Sequence, residues 1–120
     1  MGKIIMLVED EQTLSEIIKD ELTDAGYEVY TAYTAQECLN KIETIQPDLF
    51  LLDIKLPDMS GLKLLELIRQ KYKSTAIVMC TAFDSFKTDY EIWASEIADY
   101  IVKPVDLDDL KIRIHRILGE

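Results

Sequence analysis

Residues 48–61 read DLFLLDIKLPDMSG, and this stretch decides the fold. Its uncharged apolar run, 49–52, is typical of a strand that is buried on both faces of a parallel sheet. Asp53 follows directly, and the turn-forming residues of 57–61 come next. The stretch therefore predicts a strand over 48–52 that delivers a carboxylate to the edge of a sheet, followed by a turn into a helix.

Apolar runs alternate with amphipathic stretches five times along the chain. Besides the central run, strands are predicted over 3–8, 27–32, 76–80 and 100–102. A helical pattern of apolar residues follows each strand, and such strict alternation calls for a parallel sheet with helices on both faces. We therefore predict one domain over residues 1–120, an α/β fold with a doubly wound five-stranded parallel sheet.

Local signals predict several helix boundaries. Thr34 and Glu37 have the spacing of a capping box, and Pro47 is expected to end the helix that they begin. Asp106 is expected to cap the last helix. The fourth helix is predicted over 85–94, with three aromatic residues along one side: Phe86, Tyr90 and Trp93.

Composition argues against several classes of function. The chain has 23 acidic and 13 basic residues and a net charge of −10, which argues against direct nucleic-acid binding by this domain. Its apolar runs are too short to span a membrane, and residues 1–3 lack the pattern of a signal peptide, so a cytoplasmic location is expected. Cys38 and Cys80 are interpreted as buried free thiols, and His115, the only histidine, as a surface residue.

Charged or hydroxyl-bearing residues follow four of the five predicted strands, in the order Glu9-Asp10-Glu11, Asp53, Thr81 and Lys103-Pro104. Each residue alone is ordinary at a helix start or in a turn. Parallel strands bring them to one edge, however, and such sheets bind ligands at that edge, where the strand order reverses. The second strand ends without a charge, which predicts that it is peripheral.

If Glu9, Asp10 and Asp53 are neighbours, their charges repel. At about 4 Å two such charges repel by roughly 4 kcal/mol at an effective dielectric constant of about 20. Lys103 compensates one of them, and one Mg²⁺, which prefers carboxylate and phosphate oxygens, would neutralise the rest. Asp53 would then be a competent nucleophile toward phosphorus. Lys103 and the metal would hold the phosphoryl oxygens, and Thr81 could hydrogen-bond the product.

Four motifs in this order resemble the receiver domain of two-component response regulators of the chemotaxis-regulator type. They are Val8-Glu-Asp-Glu11, the D-x-x-x-P-x-x-x-G spacing within Leu52–Gly61, Thr81-Ala82 and Lys103-Pro104, with Tyr100 at the switch-aromatic position. The resemblance covers essentially the whole chain and implies a flavodoxin-like strand order of 2-1-3-4-5. One departure is Glu96-Ile97, where Gly-Ala is frequent in the family.

The resemblance implies a role for each residue of the site. Asp53 would accept a phosphoryl group from a cognate histidine kinase. Lys103 would contact the acyl phosphate, and the peptide bond before Pro104 would be cis. Mg²⁺, for which Mn²⁺ is expected to substitute, would be ligated by Asp10, Asp53, the backbone carbonyl of Lys55 and, through water, Glu9.

The resemblance also implies an output surface. Thr81 and Tyr100 would couple phosphorylation to the surface of the fourth helix, fifth strand and fifth helix. Through it two copies could form a homodimer, or the domain could act on a downstream output domain or protein. The spacing of Lys55 and Phe83, each two residues after a site residue, separately predicts that they rim the phosphate pocket and slow hydrolysis; the alternative is that both side chains extend into solvent.

Three other classes share parts of this pattern. A haloacid-dehalogenase-type phosphatase would need a second aspartate at position 55, where the chain has Lys55, and a flavodoxin would need a glycine-rich loop, whereas 9–15 contains no glycine. A pseudo-receiver, which binds partners without being phosphorylated, would usually lack the acceptor, the lysine or an acidic residue. It stays the alternative to the main prediction: a regulatory phospho-acceptor, not an enzyme, that assists its own phosphorylation and slow dephosphorylation.

Overall fold

The computed structural model describes residues 2–86 and 89–120. Its strands are β1 (Ile4–Val8), β2 (Glu28–Ala32), β3 (Leu49–Leu52), β4 (Ala76–Thr81) and β5 (Asp99–Val102). Its helices are α1 (Gln12–Asp24), α2 (Ala35–Lys41), α3 (Gly61–Lys71), α4 (Tyr90–Ala94) and α5 (Leu107–Ile117). The predicted alternation is confirmed, and each predicted strand agrees with the structure to within one residue at either end.

The five strands form one parallel sheet in the order β2-β1-β3-β4-β5, as expected. The chain moves outward from β1 to β2 and then returns to place β3 on the other side of β1. The strand order therefore reverses between β1 and β3, which is where an open sheet of this kind binds its ligands. β2 lies at the edge, so the prediction that it is peripheral is confirmed.

Helices cover both faces of the sheet, and alternate residues of each strand point into opposite layers. In β1, Met6 and Val8 are buried with residues of α2 and α3, whereas Ile5 and Leu7 are buried with residues of α1 and α5. Burial on both faces explains why β1 and β3 lack charged residues altogether.

The second helix is shorter than predicted. Thr34 caps it by accepting a hydrogen bond from the Glu37 amide at 3.0 Å, as expected, but α2 ends at Lys41 rather than near Pro47. The next amides, of Glu43 and Thr44, bond carbonyls only three residues back, so the last turn tightens and the helix stops. The apolar spacing that suggested a longer helix is compatible with this turn.

The fourth helix is also shorter than predicted. It covers Tyr90–Ala94 rather than 85–94, and Asp89 caps it by accepting from the Glu91 amide at 2.8 Å. Residues 87 and 88 of the prediction lie outside the described residues. The aromatic residues of α4 do not face the core: Tyr90 is 83% exposed, and Ile92 occupies the buried position. Phe86, which packs against the core, comes before the helix.

Candidate functional site

The backbone of the site is an extension of the sheet. The amides of the first residues after β1, β3 and β5 continue the ladder: Glu9 bonds the Ala32 carbonyl at 3.0 Å, Asp53 that of Val8 at 3.1 Å, and Lys103 that of Thr81 at 2.8 Å. Because ladder bonds hold these residues at the strand ends, their side chains project from a rigid framework rather than from free loops.

Three carboxylates converge at the reversal of strand order. Glu9, Asp10 and Asp53 each contribute an oxygen, and these oxygens all lie within 4.8 Å of one another. Glu9 and Asp53 are only 2% and 5% exposed, whereas Asp10 is exposed. The predicted juxtaposition of these three residues is therefore present in the structure.

Lys103 joins two of these carboxylates. Its Nζ lies 2.7 Å from Glu9 Oε1 and 2.8 Å from Asp53 Oδ2. Burial lowers the pKa of Lys103, but the hydrogen bonds to Asp53 and Glu9 outweigh burial and raise the pKa above its usual value. Burial raises the pKa of Glu9, against the opposing effect of its bond to Lys103. The ammonium group thus stays charged and forms a buried bridge between the ends of β1 and β3.

The donor chemistry of this cluster fits a hard divalent cation. Three carboxylates lie together, and Lys103 pairs with two of them, Glu9 and Asp53, so this partly buried cluster keeps an excess of negative charge. Carboxylate oxygens are the ligands that Mg²⁺ prefers, and Mg²⁺ commonly uses only one or two of them. The residues that are present therefore suit Mg²⁺.

The loop that follows Asp53 is closed by a tight contact with Gly61. The Gly61 amide bonds the Ile54 carbonyl at 2.6 Å, and a Cβ on Gly61 would lie only 1.9 Å from the Asp53 carbonyl oxygen. The glycine of the D-x-x-x-P-x-x-x-G spacing is thus required because the backbone of α3 approaches that of Asp53. Within the loop, Asp53 Oδ1 accepts from the Lys55 amide at 3.2 Å.

The loop after β4 contacts Thr81 and Tyr100. Thr81 is fully buried, and its hydroxyl oxygen accepts from the Phe83 amide at 3.4 Å. The Tyr100 hydroxyl donates to the Phe83 carbonyl at 2.5 Å, with its ring pointing inward and 1% exposed. Burial raises the pKa of Tyr100, and the nearby charges of Asp84 and Asp53 add to the shift.

These residues surround an open cavity of about 490 Å³, lined by Glu9, Asp10, Glu11, Asp53, Lys55, Thr81, Ala82, Phe83 and Lys103. Lys55 and the 41% exposed Phe83 lie at its rim. Tyr100 is not among the residues that line the cavity. The Lys103–Pro104 peptide bond is cis.

The residues that were interpreted as structural are not among those that line the cavity. Cys38 and Cys80 are buried free thiols, and burial raises the pKa of each to about 12. His115 is exposed on α5, where its Nδ1 lies 3.3 Å from the Tyr27 hydroxyl. Asp58 was interpreted as a turn residue, but its carboxylate binds the start of α2, a contact that sequence reasoning missed.

Comparison with known proteins identifies the family. The family model of the response regulator receiver domain matches residues 5–115. The chain is 35% identical over 121 residues to the transcriptional regulatory protein CrdR of Helicobacter pylori, covering 100% of this chain and 57% of that protein. The chain therefore belongs to the family of response-regulator receiver domains, and it spans about half the length of curated relatives such as CrdR and ArlR of Staphylococcus aureus.

Solved structures agree with this assignment. A CheY-like receiver domain protein from Methanospirillum hungatei matches with a TM-score of 0.93 at 36% identity, over 99% of this chain and 95% of that one. The response regulator TrrA of Thermotoga maritima, solved in complex with Mg²⁺-BeF, matches with a TM-score of 0.87 at 36% identity, over 96% of this chain and 98% of that one.

Among residues 2–86 and 89–120, no helix has the length and apolar character needed to cross a bilayer.

Proposed function

We propose that this receiver domain accepts a phosphoryl group on Asp53 from a cognate histidine kinase, in a reaction that depends on Mg²⁺. The observation that carries the proposal is the Lys103 bridge, which holds Asp53 within 2.8 Å of an ammonium group inside an acidic cluster. A carboxylate so placed has a cation ready for the incoming phosphoryl oxygens, and it lines a cavity open to a donor.

The metal would be held by Asp10, Asp53 and the backbone carbonyl of Lys55, with Glu9 acting through water. The Mg²⁺-BeF complex of TrrA is consistent with such a site in a relative. When bound, Mg²⁺ offsets the negative charge of the phosphoryl oxygens, and Mn²⁺ should substitute because it accepts the same oxygen ligands. Glu9 makes its closest contact with Lys103, so its main effect is to orient that side chain.

In the transfer, an Asp53 carboxylate oxygen attacks the phosphorus of a phosphohistidine. The new O–P bond forms as the P–N bond breaks, and the leaving imidazole takes up a proton from water. Lys103 exchanges its contact with Asp53 for one with a phosphoryl oxygen, and the Thr81 hydroxyl gives up its bond from the Phe83 amide to donate to another. The product is an acyl phosphate, whose slow hydrolysis regenerates Asp53.

The rearrangement of Thr81 supplies the route to an output. Thr81 and Tyr100 both bond Phe83, in the loop that leads to α4, so moving the hydroxyl of Thr81 alters that loop. The change would reach the surface of α4, β5 and α5, through which the domain forms a homodimer or acts on an output domain or protein. The greater length and the names of the curated relatives favour an output in transcription regulation.

The alternative, a pseudo-receiver that works without phosphorylation, predicts a defect in the acceptor site. Asp53, Lys103 and both acidic residues are all in place, so no observation favours it. The proposed function is therefore regulatory, with one phosphoryl group carried per domain.

Incubation with acetyl phosphate and Mg²⁺, followed by intact-protein mass spectrometry, tests the proposal. The wild type should gain one phosphoryl group, Asp53→Asn should gain none, and the control Asp48→Asn should be labelled like the wild type. Undiminished labelling of Asp53→Asn would overturn the assignment of the acceptor, and an unlabelled wild type would favour the pseudo-receiver.

A further inference from the structure

The carboxylate of Asp58 connects the loop after β3 to another element. Its Oδ1 accepts from the Ala35 amide at 2.9 Å, and its Oδ2 accepts from the Gln36 amide at 2.8 Å. These amides belong to the first two residues of α2 and have no acceptor within their own helix. Both oxygens of Asp58 therefore make charge-assisted bonds, on a helix end that favours negative charge.

Leu56 and Met59 of the loop between Asp53 and Gly61 pack against the core, but few hydrogen bonds tie this loop to elements other than α3. At its ends, the Lys55 amide bonds Asp53 Oδ1 and the Gly61 amide bonds the Ile54 carbonyl. Between these ends, Ser60 caps α3 by accepting from the Leu62 amide, and among the described residues the hydrogen bonds that tie the loop to an element other than α3 are those of Asp58. Burial raises the pKa of Asp58, but the hydrogen bonds from the backbone amides of Gln36, Ala35, Asp58 and Met59 together outweigh it and lower the pKa below its usual value, so the carboxylate stays ionised.

We infer that Asp58 is a positioning residue for the metal: it holds the loop that carries the Lys55 carbonyl against the start of α2. This inference rests on the proposed function, in which that carbonyl is a ligand. Mg²⁺ demands nearly ideal octahedral geometry and tolerates little displacement of a ligand. A clamp three residues along the chain from Lys55 limits how far the carbonyl can move, without touching the metal itself.

The coupling is reciprocal. If α2 holds the loop in the geometry that binds Mg²⁺, then Mg²⁺ must in turn stabilise the contact between the loop and α2. Hydrogen exchange of the Ala35 and Gln36 amides should therefore slow when Mg²⁺ is added. In Asp58→Ala the two amides lose their acceptor, so their exchange should no longer respond to Mg²⁺.

The chain offers a matched control for removal of the clamp. At the opposite edge of the sheet, Asp48 Oδ2 accepts from the Ile4 amide at 2.7 Å, the same kind of bond far from the cavity. Asp58→Ala should raise the dissociation constant for Mg²⁺, measured by isothermal titration calorimetry, about 10- to 100-fold, the range for partners that orient metal ligands. Asp58→Asn, which keeps one acceptor oxygen, should raise it less, and Asp48→Ala should leave it unchanged although it too loses stability.

A labelling experiment separates positioning from catalysis. The rate of labelling by acetyl phosphate is measured as a function of Mg²⁺ concentration. At saturating Mg²⁺ the rate for Asp58→Ala should equal the wild-type rate, but a higher Mg²⁺ concentration should be needed to reach it. An unchanged dissociation constant in both Asp58 variants, or a lower plateau with an unchanged Mg²⁺ midpoint, would overturn this inference alone. If Asp58→Ala does not fold, Asp58→Asn decides the question by the same two measurements. A wild type that binds no Mg²⁺ would overturn the proposed function, and this inference with it.

Discussion

The sheet has an amino edge, where its strands begin, and a carboxyl edge, where they end. Acidic side chains at these two edges make opposite kinds of contact. At the amino edge, Asp48 and Ile4 bond each other twice: the Asp48 carboxylate accepts from the Ile4 amide, and the Asp48 amide donates to the Ile4 carbonyl, both at 2.7 Å. At the carboxyl edge, Glu9, Asp10 and Asp53 crowd together with Lys103 as their shared counter-ion. A carboxylate that faces an amide stabilises the fold, whereas one that faces another carboxylate stores unfavourable energy.

This difference separates stability from function. At the amino edge, the Asp48 carboxylate is satisfied by the neighbouring backbone of Ile4. The carboxyl edge has an excess of negative charge that a bound cation can offset. Sites of this kind commonly lower the stability of the domain that carries them.

The largest expected effect is the loss of the counter-ion. Lys103→Met leaves Glu9 and Asp53 buried without a cation, so the free energy of unfolding in EDTA should fall by about 3 kcal/mol, measured by urea denaturation. Lys111→Met is the control, because its ion pairs with Glu21 and Asp108 are exposed and should contribute little. Equal losses in the two variants would mean that the Lys103 bridge is no more than a surface ion pair.

The next largest effect is stabilisation by metal. At about one hundred times its dissociation constant, Mg²⁺ should raise the free energy of unfolding of the wild type by about 2.7 kcal/mol. Asp10→Asn removes a proposed ligand and should lose most of this gain, as measured by thermal denaturation with and without Mg²⁺. The same response in Asp10→Asn as in the wild type would show that the acidic residues only begin α1.

Without metal, removing a carboxylate from each of the two edges should change the free energy of unfolding in opposite directions. Asp10→Asn relieves repulsion in the cluster and should raise the free energy of unfolding in EDTA by up to about 1 kcal/mol, the value for two charges about 4 Å apart in water. Asp48→Ala removes a bond to an ionised group and should lower it by about 1.5 kcal/mol. If both substitutions destabilise, the contrast between the edges is wrong.

The smallest effect concerns the rim of the cavity. Water must reach the phosphorus in line with the acyl bond, and we expect the side chains of Lys55 and Phe83, which line the cavity, to obstruct that approach. In Lys55→Ala/Phe83→Ala, phosphate release after removal of the donor should therefore be a few-fold faster, a change in barrier of less than about 1 kcal/mol. Equal decay at equal Mg²⁺ would leave the rim without a role in timing.

The fold and the centre of the site could be predicted because both depend on the spacing of apolar residues and on the order of the strands along the chain. Uncharged runs such as Leu49–Leu52 mark strands buried on both faces, and parallel strands bring the next residues to one edge. The proximity of Glu9, Asp53 and Lys103 was therefore predicted correctly, although these residues are far apart in sequence. The predicted C-terminal end of α2 and the predicted start of α4 were wrong because apolar residues spaced three or four apart also fit a turn or an exposed helix face.

Other features depend on contacts that sequence spacing does not encode. Asp58 reaches amides 22 and 23 residues earlier in the chain, and only the packing of α2 beside the loop makes that contact. Glu96 adopts a φ of 59°, in the left-handed region that favours glycine. The departure from Gly-Ala at this position was visible in the sequence, but its backbone conformation was not. Arg69 bonds the carbonyls of Ser95 and Glu96 and holds that turn in place.

The two cysteines lie in different layers of the molecule, Cys38 among the residues between the sheet and α2, and Cys80 among those between the sheet and α5. Because burial raises the pKa of each thiol to about 12, neither is appreciably ionised near neutral pH while its layer is closed. Each layer thus contains one native cysteine whose rate of alkylation reports how readily that layer opens. The alkylation rates of Cys38 and Cys80, separated by peptide mapping, would time the opening of each layer with no foreign label attached.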